Sequence, residues 1–238
     1  MIAKPDRRRR RRFLWGALSA FTALAIASVV PVAILRTATP PTSAYMIRAR
    51  VADPATGSPC ESISYTWVER SEIAPDLRLA VVLAEDQRFL LHDGFDLRSL
   101  RRALREREAG RIRGASTLTQ QVAKNLFLWP GPSYLRKGIE AWFTLWIERL
   151  WTKQRILTVY LNIAQFGPCI FGAEAASRIF FEVPAVDLKP EQAALLATVL
   201  PNPLRLRAHN PGPYALERQA EILDLMATHR GRGHLRGL

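Results

Sequence analysis

The sequence has little cysteine: two residues, Cys60 and Cys169, in a chain of 238. That is too few for a disulfide scaffold, and no Cys or His spacing matches a zinc site. Whether the pair is bridged stays open. A bridge persists outside the cytoplasm, and two separate thiols fit a core equally well. Acidic residues are scarce beside basic ones, 21 against 34, which leaves a formal charge of +13. That imbalance points to an anionic partner: nucleic acid, a membrane surface or a phosphorylated substrate. No internal repeat is present. With 48% of residues apolar, the chain is neither disordered nor fibrous and can bury a sizeable core in one or two domains.

The placement of the charge separates the partner classes. Residues 1–12 hold Lys4 and Arg7 to Arg12 against Asp6, giving +6 of the +13. Residues 13–35, Phe13 to Leu35, then carry no charge over 23 positions. As a helix this run would measure about 34 Å, enough to cross a bilayer core. The basic flank predicts a cytoplasmic N-terminus, with the remainder outside, as in a single-pass signal anchor. Ala25-Ile26-Ala27 resembles a signal cleavage site, but the apolar run continues well past it, which favours an uncleaved anchor. A spanning helix directly behind the arginines argues against a nucleic-acid-binding arm.

Residues 36–61, with Pro40-Pro41, Pro54, Gly57 and Pro59, read as a linker; 62–229 form the main domain and 230–238 a basic tail. Ser62 to Trp67 alternates polar and apolar side chains, a short strand signal. Beyond it the chain is mainly α. Pro75-Asp76 opens a helix ending at Glu85, and Asp96 caps another from Leu97 to about Glu108, stopped by Gly110. Seven arginines between Arg98 and Arg113 make a solvated face or, as the minority reading, a surface for phosphates. Thr117 with Gln120 is a capping box opening a third helix. Trp129-Pro130-Gly131-Pro132 breaks it. An unusually apolar helix follows, from Arg136 through Trp142, Trp146 and Trp151, suited equally to a core or to a membrane interface. Further helices are expected at Lys153–Asn162, Gly172–Phe181, Pro190–Leu200 and Tyr214–His229.

Chemistry concentrates in three places. Glu85 to Asp96 packs four carboxylates and His92 directly behind the apolar run Leu79–Ala84. A carboxylate desolvated there would have a raised pKa and could trade protons near neutrality; solvated acids at a helix end are the alternative. Gly114-Ala115-Ser116-Thr117-Leu118-Thr119-Gln120-Gln121 places hydroxyls and amides at a helix start, a seat for sugar hydroxyls or phosphate, with Lys124 a turn further on. Glu140, in so apolar a helix, needs a cationic partner or a role, and Lys137 is within reach.

Taken together, Glu85-Asp86-x-x-Phe89-x-x-His92-x-Gly94, Gly114-x-Ser116-Thr117-x-Thr119-Gln120-Gln121, Arg136-Lys137-x-x-Glu140 and Lys153-x-x-Ile156-x-x-x-Tyr160-x-Asn162 resemble, in order, the motifs of the peptidoglycan glycosyltransferases (family 51). A fifth motif appears with a mild substitution as Arg218-x-x-x-Ile222-Leu223. The anchor, the length and Asn125–Trp129 look most like the monofunctional biosynthetic transglycosylases. The resemblance implies a mainly α, lysozyme-like domain with a membrane-associated subdomain, joining lipid II units into β-1,4 glycan with inversion and release of undecaprenyl diphosphate. It implies that Glu85 is the general base, and that Glu140 positions a cation or assists departure. Lys124, Thr117 and Gln121 would meet the diphosphate, with Ser116 and Gln120 beside them. Asp86, Phe89 and His92 would shape the first motif; Arg136, Lys137, Lys153, Tyr160 and Asn162 would hold the site together. No cofactor is required by the resemblance; a magnesium or manganese ion stays open. The implied partners are lipid II, the growing glycan and cell-wall synthesis or division proteins, at a bacterial inner membrane with the catalytic domain periplasmic. Pro168-Cys169 departs from the polar, glycine-rich turn expected there. Neither Ser-x-x-Lys nor Lys-Thr-Gly occurs, so no penicillin-binding transpeptidase module is expected.

Overall fold

The uncharged apolar run and the arginines ahead of it coil into one long helix, α1 (Arg7–Ile34), in the computed structural model of the chain. The model describes residues 7–52, 57–108, 116–131 and 133–229. Outside them lie the first part of the basic segment, Pro54, the proposed stop at Gly110, Gly114 and Ala115, Pro132 and the 230–238 tail. The described residues form two compact units, Met1–Ala38 and Thr39–Leu238. In the first, Arg11–Ile34 is long and apolar enough to cross a membrane. Its few hydroxyls are returned to its own backbone: Ser19 Oγ donates to Trp15 O and Thr22 Oγ1 to Leu18 O, both at 2.9 Å. Polar side chains in an apolar helix thus need no outside partner.

In the second unit the span between the prolines contains a helix, α2 (Ala44–Val51), capped by Ser43, whose Oγ accepts from Met46 N at 3.2 Å. Met46 and Ala49 are buried. The strand expected at Ser62–Trp67 is reduced to β1 (Ser64–Tyr65), because its partner is equally short. Together with β2 (Gln165–Gly167) and β3 (Ile170–Phe171) it forms a three-stranded sheet of order β1-β3-β2, parallel between β1 and β3 and antiparallel between β3 and β2. Asn162 locks the approach to this sheet: its Oδ1 accepts from Val68 N at 2.9 Å while its Nδ2 donates to Val68 O at 3.0 Å.

The helices follow the apolar periodicity. α3 (Pro75–Glu85) begins at a proline and buries Leu77, Ala80, Val81, Val82 and Leu83. It packs with α9 (Pro190–Val199) and α10 (Pro213–His229). α4 (Leu97–Glu108) is capped by Asp96, whose Oδ1 accepts from Arg98 N and Ser99 N at 3.0 and 3.1 Å. α5 (Leu118–Phe127) packs on α6 (Tyr134–Leu150) and on α7 (Lys153–Ile163), which is buried from Ile156 to Ile163. A helix segment buried on every side belongs inside a core, and each large aliphatic there contributes about 1.5–3 kcal/mol. α8 (Ala173–Phe181) lies against the sheet. Of the tryptophans, Trp151 is buried, Trp142 and Trp146 meet edge to face, and Trp129 is half exposed.

Cys60 and Cys169 are joined in a disulfide across 109 residues. Cys169 sits at φ +57°, the left-handed region a glycine would normally occupy, which accounts for the departure noted at this turn. Closing so long a loop constrains the unfolded chain by about 4–5 kcal/mol at most. Reduction is therefore expected to lower the thermal midpoint by roughly 10 °C. A melt with and without reductant checks this, and Cys60→Ser/Cys169→Ser should match the reduced protein.

Candidate active site

The end of α3 and the start of α5 are tied by one carboxylate. Asp86, the first residue beyond α3, accepts from Leu118 N at 3.0 Å through Oδ2, and His92 Nε2 lies 3.0 Å from both its oxygens. The negative charge thus sits at the positive end of α5. The capping box closes the same junction: Thr117 N donates to Gln120 Oε1 at 3.0 Å and Gln120 N to Thr117 Oγ1 at 3.2 Å. Thr117 Oγ1 itself donates to Gly94 O at 2.7 Å. Thr117 and Gln120 are therefore buried and occupied in holding the backbone, while Ser116 stays exposed beside them.

With that junction fixed, α5 presents Gln121 and Lys124 on one face, a turn apart. Gln121 Nε2 donates to Glu85 Oε2 at 2.7 Å, and Tyr160 Oη donates to Gln121 Oε1 at 3.2 Å. The tyrosine orients the amide, and the amide holds the carboxylate. Burial raises the pKa of Glu85; Gln121, Arg218 and Lys124 oppose it, and the neighbouring Asp86 reinforces it. The same burial, with the charge of Glu85, drives the Tyr160 phenol well above its usual value, so its hydroxyl keeps its proton.

Lys124 is the cation at the centre. Among the described residues its ammonium has no hydrogen-bond or ion-pair partner. Burial lowers its pKa, Glu140 and Glu85 pull it back up, and Arg136 and Lys137 push it down. Glu140, 2% exposed, is already paired: Arg136 Nη1 donates to its Oε2 at 2.7 Å and Lys137 Nζ to its Oε1. Cations outnumber carboxylates here, and Lys124 is left available to an anion.

Behind this face lies a second network. Lys153 Nζ donates to His92 O at 2.6 Å and to Glu148 Oε1 at 2.8 Å, and its ammonium stands 4.6 Å from the centroid of the fully buried Phe89 ring. Thr119 Oγ1 donates to the same Glu148 oxygen at 2.5 Å. Gly94, at φ +84°, lies so close that a Cβ would come within 2.8 Å of Glu148 Cγ and Thr144 Cγ2. Glu148 went unnoticed in the sequence because a glutamate beside Arg149 reads as a solvated helix face; the available signal was its place in the same apolar helix as Glu140. Arg218, noted only as a motif letter, reaches Glu85 electrostatically from α10.

The structure thus brings together Glu85, Gln121, Lys124, Arg136, Lys137 and Glu140. Asp86, Phe89, His92, Thr117, Gln120 and Lys153 lie behind them as supports, and Asn162 is spent on the sheet. Such a base-and-cation face fits group transfer from an anionic leaving group. The transglycosylase family model matches residues 55–227. Proteins named biosynthetic peptidoglycan transglycosylase match nearly end to end. The one from Pseudomonas aeruginosa is 51% identical over 88% of this chain and 90% of its own. Those from Xanthomonas campestris pv. campestris and Klebsiella oxytoca are 47% and 49% identical, over 98% and 94% of this chain and 95% and 88% of theirs. A matched domain that contains the whole base-and-cation face, within relatives of the same extent, leaves one conclusion: the chain belongs to the transglycosylase family, among the biosynthetic peptidoglycan transglycosylases.

Proposed function

We propose that this domain polymerises lipid II into β-1,4-linked glycan, inverting the anomeric carbon and releasing undecaprenyl diphosphate. The observation that carries the reading is Lys124, a part-buried ammonium without a hydrogen-bond or ion-pair partner among the described residues, one turn from the glutamine that grips Glu85. In this mechanism the Glu85 carboxylate takes the proton of the acceptor 4-hydroxyl. The freed oxygen attacks the donor's anomeric carbon from the face opposite the diphosphate. The carbon–oxygen bond to the diphosphate then breaks, its electron pair leaving with the phosphate oxygen. A diphosphate is a good leaving group that needs no strong acid but does need its charge met. Lys124 meets it, with Arg136 and Lys137 in reserve and Glu140 keeping those two side chains in place. No resident cofactor enters this proposal.

The setting follows the same reading. α1 anchors the chain in the bacterial inner membrane with the arginines cytoplasmic and the domain periplasmic, where the Cys60–Cys169 bond persists. Trp129, Tyr134 and Leu135, all exposed, suit a membrane-associated subdomain around the start of α6. With neither transpeptidase motif in its sequence, the chain does not cross-link peptides. Incubating the purified protein with labelled lipid II tests the proposal. Strands must lengthen while preformed glycan keeps its length; shortening of preformed glycan would instead indicate a lytic enzyme.

A further inference from the structure

We propose that Tyr45 is a positioning residue of the transfer reaction: its ring face, carried on a helix ahead of the family-defining stretch, holds the Lys124 ammonium in place between burial and the charges of Glu85 and Glu140. The proposal rests on the reading of Lys124 as the cation that meets the leaving diphosphate.

Lys124 Nζ stands 5.4 Å from the centroid of the Tyr45 ring, within the range of cation–π attraction. As the ammonium has no polar partner among the described residues, this ring is its close contact. Tyr45 also lies in the field of the same cluster: burial raises its phenol pKa, Arg136 lowers it and Glu140 raises it. A flexible lysine stem has several rotamers, and a partly desolvated ammonium tends to swing toward water or toward the nearest carboxylate. An aromatic face opposes that swing without neutralising the charge, so the cation stays available to a phosphate oxygen.

The helix carrying Tyr45 is pinned at both ends. Ahead of α2, Tyr65 Oη donates to Pro40 O at 2.7 Å. At its far end Cys60 N donates to Ala49 O at 2.9 Å, and Cys60 is bonded to Cys169 in the β2–β3 turn. An open groove of about 310 Å³ runs between Ile47 and Val51 of α2 and Phe127, Leu128 and Trp129 at the end of α5. The pins explain why a helix outside residues 55–227 keeps a fixed place over Lys124.

Steady-state kinetics of the full chain on labelled lipid II, with pH profiles, test this. Tyr45→Leu is expected to lower kcat about 3- to 30-fold with little change in KM. The basic limb of the profile should move to lower pH. Without the ring, burial, Arg136 and Lys137 disfavour the ammonium against only Glu140 and Glu85. Tyr45→Phe, which keeps the ring face, should restore both rate and profile. Tyr45→Leu combined with Lys124→Ala should be no worse than Lys124→Ala alone. Parental kcat and profile in Tyr45→Leu overturn the proposal, as does a Tyr45→Phe variant as impaired as Tyr45→Leu. Should Tyr45→Leu not fold, Tyr45→Phe and Tyr45→Trp decide it: both must keep the basic limb, and a shift in either counts against the ring. Full turnover in Lys124→Ala would instead remove the diphosphate reading beneath the proposal, whereas a crippled Lys124→Ala beside a silent Tyr45→Leu removes the tyrosine's role alone.

Discussion

Glu85→Gln is expected to stop glycan polymerisation, with a loss of about 10²–10⁴-fold, while leaving the domain folded. The substitution keeps shape and the acceptor for Gln121 Nε2, so the Tyr160–Gln121 chain that orients the site is preserved. What disappears is the ability to take a proton. The pH behaviour of the parent gives an independent check. Burial raises the Glu85 pKa more strongly than Gln121, Arg218 and Lys124 lower it. Activity requires the carboxylate, so the acidic limb of the rate profile should lie above the ordinary glutamate value of about 4.3. Stability runs the other way. A carboxylate with a raised pKa in the folded state favours folding most below its unfolded pKa, and that contribution is lost as pH rises through the folded value. The glutamine variant escapes this loss, so any gain in its thermal midpoint should be larger at pH 8 than at pH 4. Near-parental turnover on labelled lipid II would remove Glu85 from the role of base.

Much of this site was legible because its chemistry sits in short strings. Glu85 stands at the end of an apolar helix, Thr117 and Gln120 spell their own capping box, and Asp96 announces a cap that the backbone then uses. The need of Glu140 for a cation was also readable, although Arg136 shares the work expected of Lys137 alone. Less legible was which members of a string face the reaction. Thr117 and Gln120 belong to the hydroxyl-rich run, yet the helix start consumes them, leaving Gln121 and Lys124 to face the open side. Spacing along a helix separates such roles only once the partner elements are placed. The helix α2 was not legible, because Ala44–Val51 is short, flanked by prolines and weakly periodic. Its stability comes from burying Met46 and Ala49 and from bonds to Pro40 and Ala49 made by residues further along the chain. The pairing of Cys60 with Cys169 was undecidable for the same reason, since only the fold brings together residues 109 apart.

Lys124→Ala is expected to cut kcat by about 10²–10³-fold, with a smaller change in KM, in the same labelled lipid II assay. The size follows from where charge develops. In the ground state the diphosphate already carries its negative charge, but as the anomeric bond breaks further charge gathers on the bridging oxygen, and a preorganised cation at that point stabilises the transition state more than the bound substrate. The alternative, that Lys124 merely neutralises Glu140, is countered by geometry. Glu140 already receives Arg136 Nη1 on one oxygen and Lys137 Nζ on the other, so removing Lys124 leaves Glu140 paired. The variant should therefore melt close to the parent, or slightly higher, because a desolvated ammonium has been deleted. Lys124→Arg should rescue little: a planar guanidinium is larger than the ammonium seated at the Tyr45 ring and carries its charge differently. Burial also lowers the Lys124 pKa, so the parental rate should fall off on the basic side below the usual lysine value of about 10.4, the charged form being the active one. A Lys124→Ala enzyme that keeps its rate but melts far below the parent would reverse the assignment, making Lys124 a structural residue and moving the diphosphate site toward Arg136 and Lys137.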